Sequence, residues 1–379
     1  MVGKVSVLMY WSGDVSIGSI RIPYYAYRHC FERRGRLQIS TDASDIYENY
    51  DVAFLPAGTG EPERARRNNP NLYVCVTKPH VERRIANPFE RAPIAVKWKH
   101  KVQAFMIPKG AQEKQCARDI QSADLLICET PQLTLKFNSM GFSAHYAKLI
   151  EELPSDFQPK TQATPIRSDN VVRVVYHGNT EHIFECEEYI VDAMEKLAES
   201  YRVELSIITD IKDLRWKKQL SERFVTKYIQ YSYPDILYHI RDHDIGLVPN
   251  QVVPRGPLIS KLIKRYGAFF WRTHQVNDIT IRYKQSANAG RAFVFAQAGV
   301  PFVACPCPDL NNIFGELLNG KNPLNGKEWT HAVKELVRDH DERERMSVAM
   351  RAIVNEKLDL DAECEKVEDK IIADIGKNI

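Results

Sequence analysis

The chain has 379 residues, of which 44% are apolar and 27% charged, the balance of a globular protein. That length exceeds one ordinary core and suits two domains of roughly 100 to 200 residues each. Its 52 basic and 49 acidic side chains leave a formal charge of +3, too small to argue for nucleic acid, so any electrostatic partner must be read from local patches.

In the first half, short β-rich apolar runs alternate with helical patterns. They fall at 4–10 (KVSVLMY), 51–56 (DVAFLP), 72–77 (LYVCVT) and 123–129 (ADLLICE). Such alternation predicts a parallel sheet. The first run leads into WSGDVSIGSIRIP, where Gly13, Ser16, Gly18 and Ser19 open a helix that includes Arg21. Small residues let backbone N–H groups approach a ligand, and a helix N-terminus favours an anion. The same residues also serve as an ordinary turn, since the segment is no G-x-G-x-x-G fingerprint. The stretch 78–101, KPHVERRIANPFERAPIAVKWKHK, is basic with Phe89 and Trp98 interleaved. It suits either a solvated face or contact with an anionic acceptor or an acidic membrane surface.

Between 153 and 170 the apolar pattern lapses into Pro, Ser, Thr, Asp and Gln, which reads as a linker. Strands then resume at 171–178, 202–210, 224–231, 244–250 and 301–305. The fold class expected is α/β: two Rossmann-like, doubly wound domains facing a cleft, with ligands at the carboxyl ends of the strands. Their spans are 1–160 and 170–350, and a terminal helix within 351–379 can pack back on the first domain. The turn after the first strand of the second domain holds Gly178 and Asn179 and faces that cleft.

Residues 283–310, YKQSANAGRAFVFAQAGVPFVACPCPDL, bring together a cation, an N-cap and a helix. Lys284, Ser286, Asn288 and Arg291 precede or start that helix, and GVP ends it before the strand FVAC. A helix N-terminus beside a hydroxyl, an amide and a lysine is a site for phosphate or diphosphate; the plainer reading is an N-cap with solvated cations. Asp309 and Asn311, after the strand, are available to the hydroxyls of a sugar.

Other signals are weaker. The eight cysteines include no C-x-x-C and mostly lie in apolar runs, so reduced, packed thiols are expected. His239 and His243 have the i, i+4 spacing of a metal pair without an obvious third ligand, and a surface helix explains them. Asp242 with Asp244, Asp339 with Asp341 and Asp359 with Asp361 read as solvated charges. The N-terminus lacks the basic region and cleavage site of a signal peptide. No run nears the roughly 20 apolar residues of a membrane span, so a cytoplasmic location is expected, with membrane contact, if any, peripheral through 78–101.

With these segments in order, the chain resembles GT-B glycosyltransferases, in particular the group 1 or family 4-like enzymes. The resemblance is carried by HGN at 177–179, SYPDILYHIRDHDIGLVP at 232–249, KQSANAGR at 284–291 and AQAGVPFVACPCPDLNNI at 296–313. It implies a donor domain whose helix presents its N-terminus to a nucleotide-sugar diphosphate, through Lys284, Ser286, Asn288 and Arg291, with Pro249 and Asn250 at the pocket rim. It implies an acceptor domain in the first half. Many retaining members carry two glutamates where this chain has Ser286 and Val294, so the stereochemical outcome does not follow.

The function implied is transfer of a sugar from a nucleotide-sugar donor to a glycan or lipid-linked acceptor, in surface polysaccharide or glycoconjugate synthesis. Charge gathering on the diphosphate would be met by Lys284, the helix N-terminus and Arg255, with no metal or other cofactor and no nucleic acid partner. An inverting reaction also needs a base for the acceptor hydroxyl. His80 in KPH is the first candidate and Asp14 the second. A non-hydrolysing nucleotide-sugar epimerase of the same fold is the rival enzyme, and a non-catalytic binding protein the rival of another class.

Overall fold

A computed structural model describes residues 4–10, 21–41, 47–79, 111–163, 165–166, 170–178, 183, 186–211, 219–249, 288–323 and 326–376. The first half starts with β1 (Val5–Met9). A π-helical turn, Ile22–Ala26, runs into α1 (Tyr27–Arg34) and is followed by β2 (Leu37–Ser40) and β3 (Val52–Pro56). Next come α2 (Glu61–Asn68), β4 (Tyr73–Thr77), α3 (Ala111–Gln121), β5 (Leu125–Cys128), α4 (Pro131–Ser139) and β6 (Ala144–Tyr146).

The six strands form one sheet in the order β2-β1-β3-β4-β5-β6, and every pairing is parallel. Alternation along the strands builds a core on each face. Val7, Met9, Val52, Phe54, Tyr73 and Cys75 enter one cluster, and Leu8, Ala53, Leu55, Val74 and Val76 the other. Strands buried on both sides account for the continuous apolar runs of the sequence.

The second half contains β7 (Val171–His177), α5 (Glu187–Ala198), β8 (Arg202–Thr209), β9 (Val225–Gln230), α6 (Asp235–Arg241) and β10 (Ile245–Val248). Then follow α7 (Gly290–Ala298), β11 (Phe302–Ala304), α8 (Pro308–Phe314), α9 (Gly326–Arg338), α10 (His340–Lys357) and α11 (Leu360–Gly376). The sheet order is β11-β10-β7-β8-β9, again parallel throughout. Its order reverses between β7 and β10, which makes the crevice beyond those two strand ends the favoured ligand position.

Helix α7 is apolar nearly all round because it is buried all round: Ala292, Phe293, Val294, Phe295, Ala296, Gln297 and Ala298 are all shielded. It stops at Gly299, whose φ of +72° suits glycine and where a Cβ would lie 2.4 Å from the carbonyl oxygen of Lys160. The Pro-rich stretch after β6 is thereby seated on the second sheet's helices. Lys160 N–H also donates to Ala298 O, and Lys160 Nζ to His243 O. The terminal α11 returns to the first half, where Cys364, Val367 and Ile371 join the core of Tyr24, Tyr27 and Phe31. Arg34 pairs there with the buried Glu368 at 2.7 Å.

Two surface readings are corrected. Asp244 is buried, and its carboxylate accepts from the Arg173 backbone N–H at 2.9 Å at the amino end of the sheet. His243 is also buried, its Nε2 2.8 Å from the Ser206 hydroxyl, because the turn after α6 folds it under the strands. Burial lowers its pKa, with nearby carboxylates opposing. All eight cysteines are free thiols, and all but Cys116 are buried.

Candidate functional site

The carboxyl edges of the two sheets meet through side chains that cross between them. From the first sheet come Glu129, directly after β5, and Tyr146, the last residue of β6. From the second come Asn288, just before α7, and Asp309, in the first turn of α8. Asn288 Nδ2 donates to Glu129 Oε2 at 2.9 Å, and the Tyr146 hydroxyl donates to Asp309 Oδ1 at 2.7 Å.

Asn288 and Asp309 also cap α7. Asp309 Oδ2 accepts from the Ala289 N–H at 2.8 Å, and Asn288 Oδ1 from the Gly290 N–H at 3.0 Å. Asp309, expected to meet a sugar hydroxyl, thus has both oxygens engaged within the protein. Burial pushes its pKa up to about 6 against the opposing bonds from Tyr146 and Ala289. Asn311 is exposed and accepts from Asn322 Nδ2 at 3.2 Å.

Gly178, Pro249 and Arg291 converge at the switch point of the second sheet. Arg291 lies over the Tyr176 ring and donates to the Pro249 carbonyl at 3.0 Å and to the Tyr176 hydroxyl at 3.4 Å. A Cβ on Gly178 would sit 3.0 Å from Arg291 Cδ, and its φ of +124° is one that side chains rarely adopt. Glycine is therefore required both by conformation and by the close approach of the arginine. Beneath them His177 donates from Nε2 to the Arg291 carbonyl at 3.1 Å. Burial, with the positive charges of Arg291 and Arg21, lowers its pKa to about 3. Burial thus favours the neutral ring, which donates to the carbonyl.

Arg21 lies in a different place. Its side chain is 7% exposed and forms a two-point ion pair with Glu151, at 2.9 Å from Nε and 2.5 Å from the terminal nitrogen. The guanidinium also lies 4.5 Å from the ring centre of Tyr233 and 5.4 Å from that of Tyr231. Burial alone would lower its pKa, but Glu151 and Tyr231 together raise it above the ordinary value. Gln297 of α7 donates to the Glu151 carbonyl at 2.8 Å, so the pair ties the start of the π-helical turn to the second sheet. The other expected site residues, His80, Asp14, Gly13, Ser16, Gly18, Asn179, Asn250, Arg255, Lys284 and Ser286, lie outside the described residues.

Glu129 and Lys78 were not singled out from the sequence. Lys78 follows β4 with a φ of +51°, unusual for a residue with a side chain, and its Nζ is 3.9 Å from Glu129 Oε1. Burial lowers its pKa while Glu129 opposes. The position of each residue directly after a parallel strand was the available signal. Among the described residues no group of three or more His, Cys, Asp or Glu is arranged to hold a metal ion, and no helix is long and apolar enough to cross a membrane.

No family model matches the sequence, and no curated protein matches it in sequence. Solved structures match across nearly the whole length. Anabaena HepE in complex with UDP gives a TM-score of 0.54 at 12% identity, covering 97% of this chain and 100% of HepE. Sucrose-phosphate synthase from Thermosynechococcus elongatus gives 0.54 at 13% identity, covering 95% of this chain and 79% of that one. A Listeria monocytogenes protein described as a UDP-N-acetylglucosamine 2-epimerase gives 0.52 at 10% identity, covering 99% and 98%. The two parallel sheets, their strand ends and these likenesses together show the GT-B fold.

Proposed function

We propose that the chain is a glycosyltransferase that takes a sugar from a nucleotide-sugar donor and passes it to a hydroxyl of a glycan or lipid-linked acceptor, in surface polysaccharide or glycoconjugate synthesis. One observation carries the reading. At the switch point of the second sheet, Gly178 lets the backbone turn closely past Arg291 beside the first turn of α7, on the edge that faces the first sheet. Cationic and N–H groups fixed at such an edge favour a diphosphate. They are most useful when negative charge accumulates on it as the anomeric C–O bond breaks.

In this reading Asn288 and Arg291 serve the donor together with Lys284, Ser286 and Arg255 of the preceding segment, and Asn179, Pro249 and Asn250 form the rim. Catalysis then rests on side chains and helix N–H groups, without a metal. The acceptor approaches from the first sheet, and residues 78–101, rich in Lys and Arg, suit peripheral contact with an anionic surface. HepE, with UDP bound, makes UDP the first nucleotide to try.

The test is a panel of nucleotide sugars and free nucleotides screened for a rise in Tm, followed by turnover of the best donor with candidate acceptors. A transferase releases free nucleoside diphosphate in step with acceptor glycosylation. An epimerase releases none in steady turnover, and a binding protein gains Tm without turnover. Either of the last two results would replace this reading.

A further inference from the structure

The edge of the first sheet holds a carboxylate with an unused oxygen. Glu129 is 6% exposed. Its Oε2 accepts from Asn288, while Oε1 is buried without a hydrogen-bond partner among the described residues. Lys78 Nζ, at 3.9 Å, is too far for a hydrogen bond to it. A buried carboxylate oxygen left open is costly, and such groups in native proteins call for an explanation.

Space beside it supplies one. Glu129, Lys78 and Thr77 line a recess of about 20 Å³ whose remaining wall is apolar, including Tyr27, Phe54 and Leu149. That volume admits one water-sized group, since roughly 10 to 15 Å³ is enough for a water. The Thr77 hydroxyl is already bonded to the buried Tyr24 hydroxyl. Among the described side chains lining the recess, Glu129 Oε1 is therefore the carboxylate acceptor open to an O–H that enters. Through Asn288 the same carboxylate is also tied to the residue two places before α7, so the recess and the proposed diphosphate position are joined by a single side chain.

We infer that Glu129 is the catalytic base for the acceptor, with the recess receiving the acceptor hydroxyl and Asn288 holding the carboxylate in register with the donor. The inference rests on the glycosyltransferase reading above. In the step, the hydroxyl proton passes to Glu129 Oε1 while the hydroxyl oxygen forms the new bond to the anomeric carbon. The anomeric C–O bond to the diphosphate breaks, and its electron pair leaves with the nucleoside diphosphate. The carboxylic acid then returns its proton to solvent. Direct displacement of this kind takes place from the side opposite the leaving group and inverts the anomeric centre, so the role assigned to Glu129 implies inversion.

The experiment compares the full chain with Glu129→Gln, using the donor identified by the nucleotide-sugar panel. Gln keeps an oxygen for Asn288 and removes the base. Its kcat is expected to fall by about 10² to 10⁴-fold, while UDP raises the Tm of parent and variant equally. A kcat within tenfold of the parent overturns the inference, as does loss of UDP stabilisation together with activity. Should the variant fail to fold, the parent decides the matter: NMR of the first-formed product is expected to show the anomeric configuration inverted from that of the donor. Retention overturns the role of Glu129 and leaves the transferase reading standing, whereas a parent without turnover removes both.

Discussion

The two sheets are joined by two seams of opposite character. At one, Arg21 and Glu151 form a buried two-point ion pair against the rings of Tyr231 and Tyr233. Beside it, Glu152 binds His29 and Arg33, and its carbonyl accepts from the Tyr233 hydroxyl. At the other, the side-chain hydrogen bonds among the described residues include two single ones, Asn288 to Glu129 and Tyr146 to Asp309, and one carboxylate oxygen has no partner among those residues. Polar groups that are matched in number and orientation hold a fixed geometry, while a seam of single bonds with spare acceptors can exchange its partners for a ligand's. The first seam is here called the hinge and the second the mouth, the two parts that closure of a cleft over a ligand would need.

Breaking the hinge should have the largest effect. Arg21→Ala leaves Glu151 buried and uncompensated, at a cost of about 3 to 5 kcal/mol, read as a lower midpoint in urea denaturation. A loss under about 1 kcal/mol would show that the pair is only a surface feature.

The mouth should respond to pH. The Asp309 pKa rises on folding from 3.8 to about 6, so the folded state holds the proton more tightly than the unfolded one. Stability from this group is complete below the unfolded value and is lost as pH rises through about 6. The shift corresponds to a change on the order of 3 kcal/mol. Asp309→Asn should remove that slope between about pH 4 and 6 in denaturation curves, and an unchanged slope would assign it to another group.

Smallest of the three is Tyr146→Phe, which deletes one bond of the mouth. It should cost about 0.5 to 1.5 kcal/mol and raise the rate of proteolysis between the sheets more than it lowers Tm. If instead it matched Arg21→Ala, the contrast between the seams would be wrong.

Nine of the eleven strands were legible as short β-rich runs, most of them because buried parallel strands carry no polar face to interrupt them, although β9 is half-exposed and was legible through its Val, Tyr and Ile. The two that were not, β2 and β6, are the edge strands of the first sheet. They are only four and three residues long and mostly half-exposed, so the pattern fades. Gly178, Asn288 and Arg291 were readable from strand ends and the start of a helix, and the structure places them on one edge. Glu129 obeyed the same rule but had no motif around it, and its partner is 159 residues away. The environment of Arg21 was hidden for the same reason, since Glu151 is 130 residues away. Asp244 and His243 looked solvated because local charge patterns do not reveal which turn is folded beneath a sheet.

If the second sheet's edge takes a nucleotide-sugar diphosphate, as proposed, a bound donor must be found there. Solving the complex with the donor that raises Tm most tests it directly. The diphosphate is expected at the first turn of α7, within reach of Arg291 and of the backbone at Gly178. A diphosphate bound elsewhere, for example wholly on the first sheet, would contradict it.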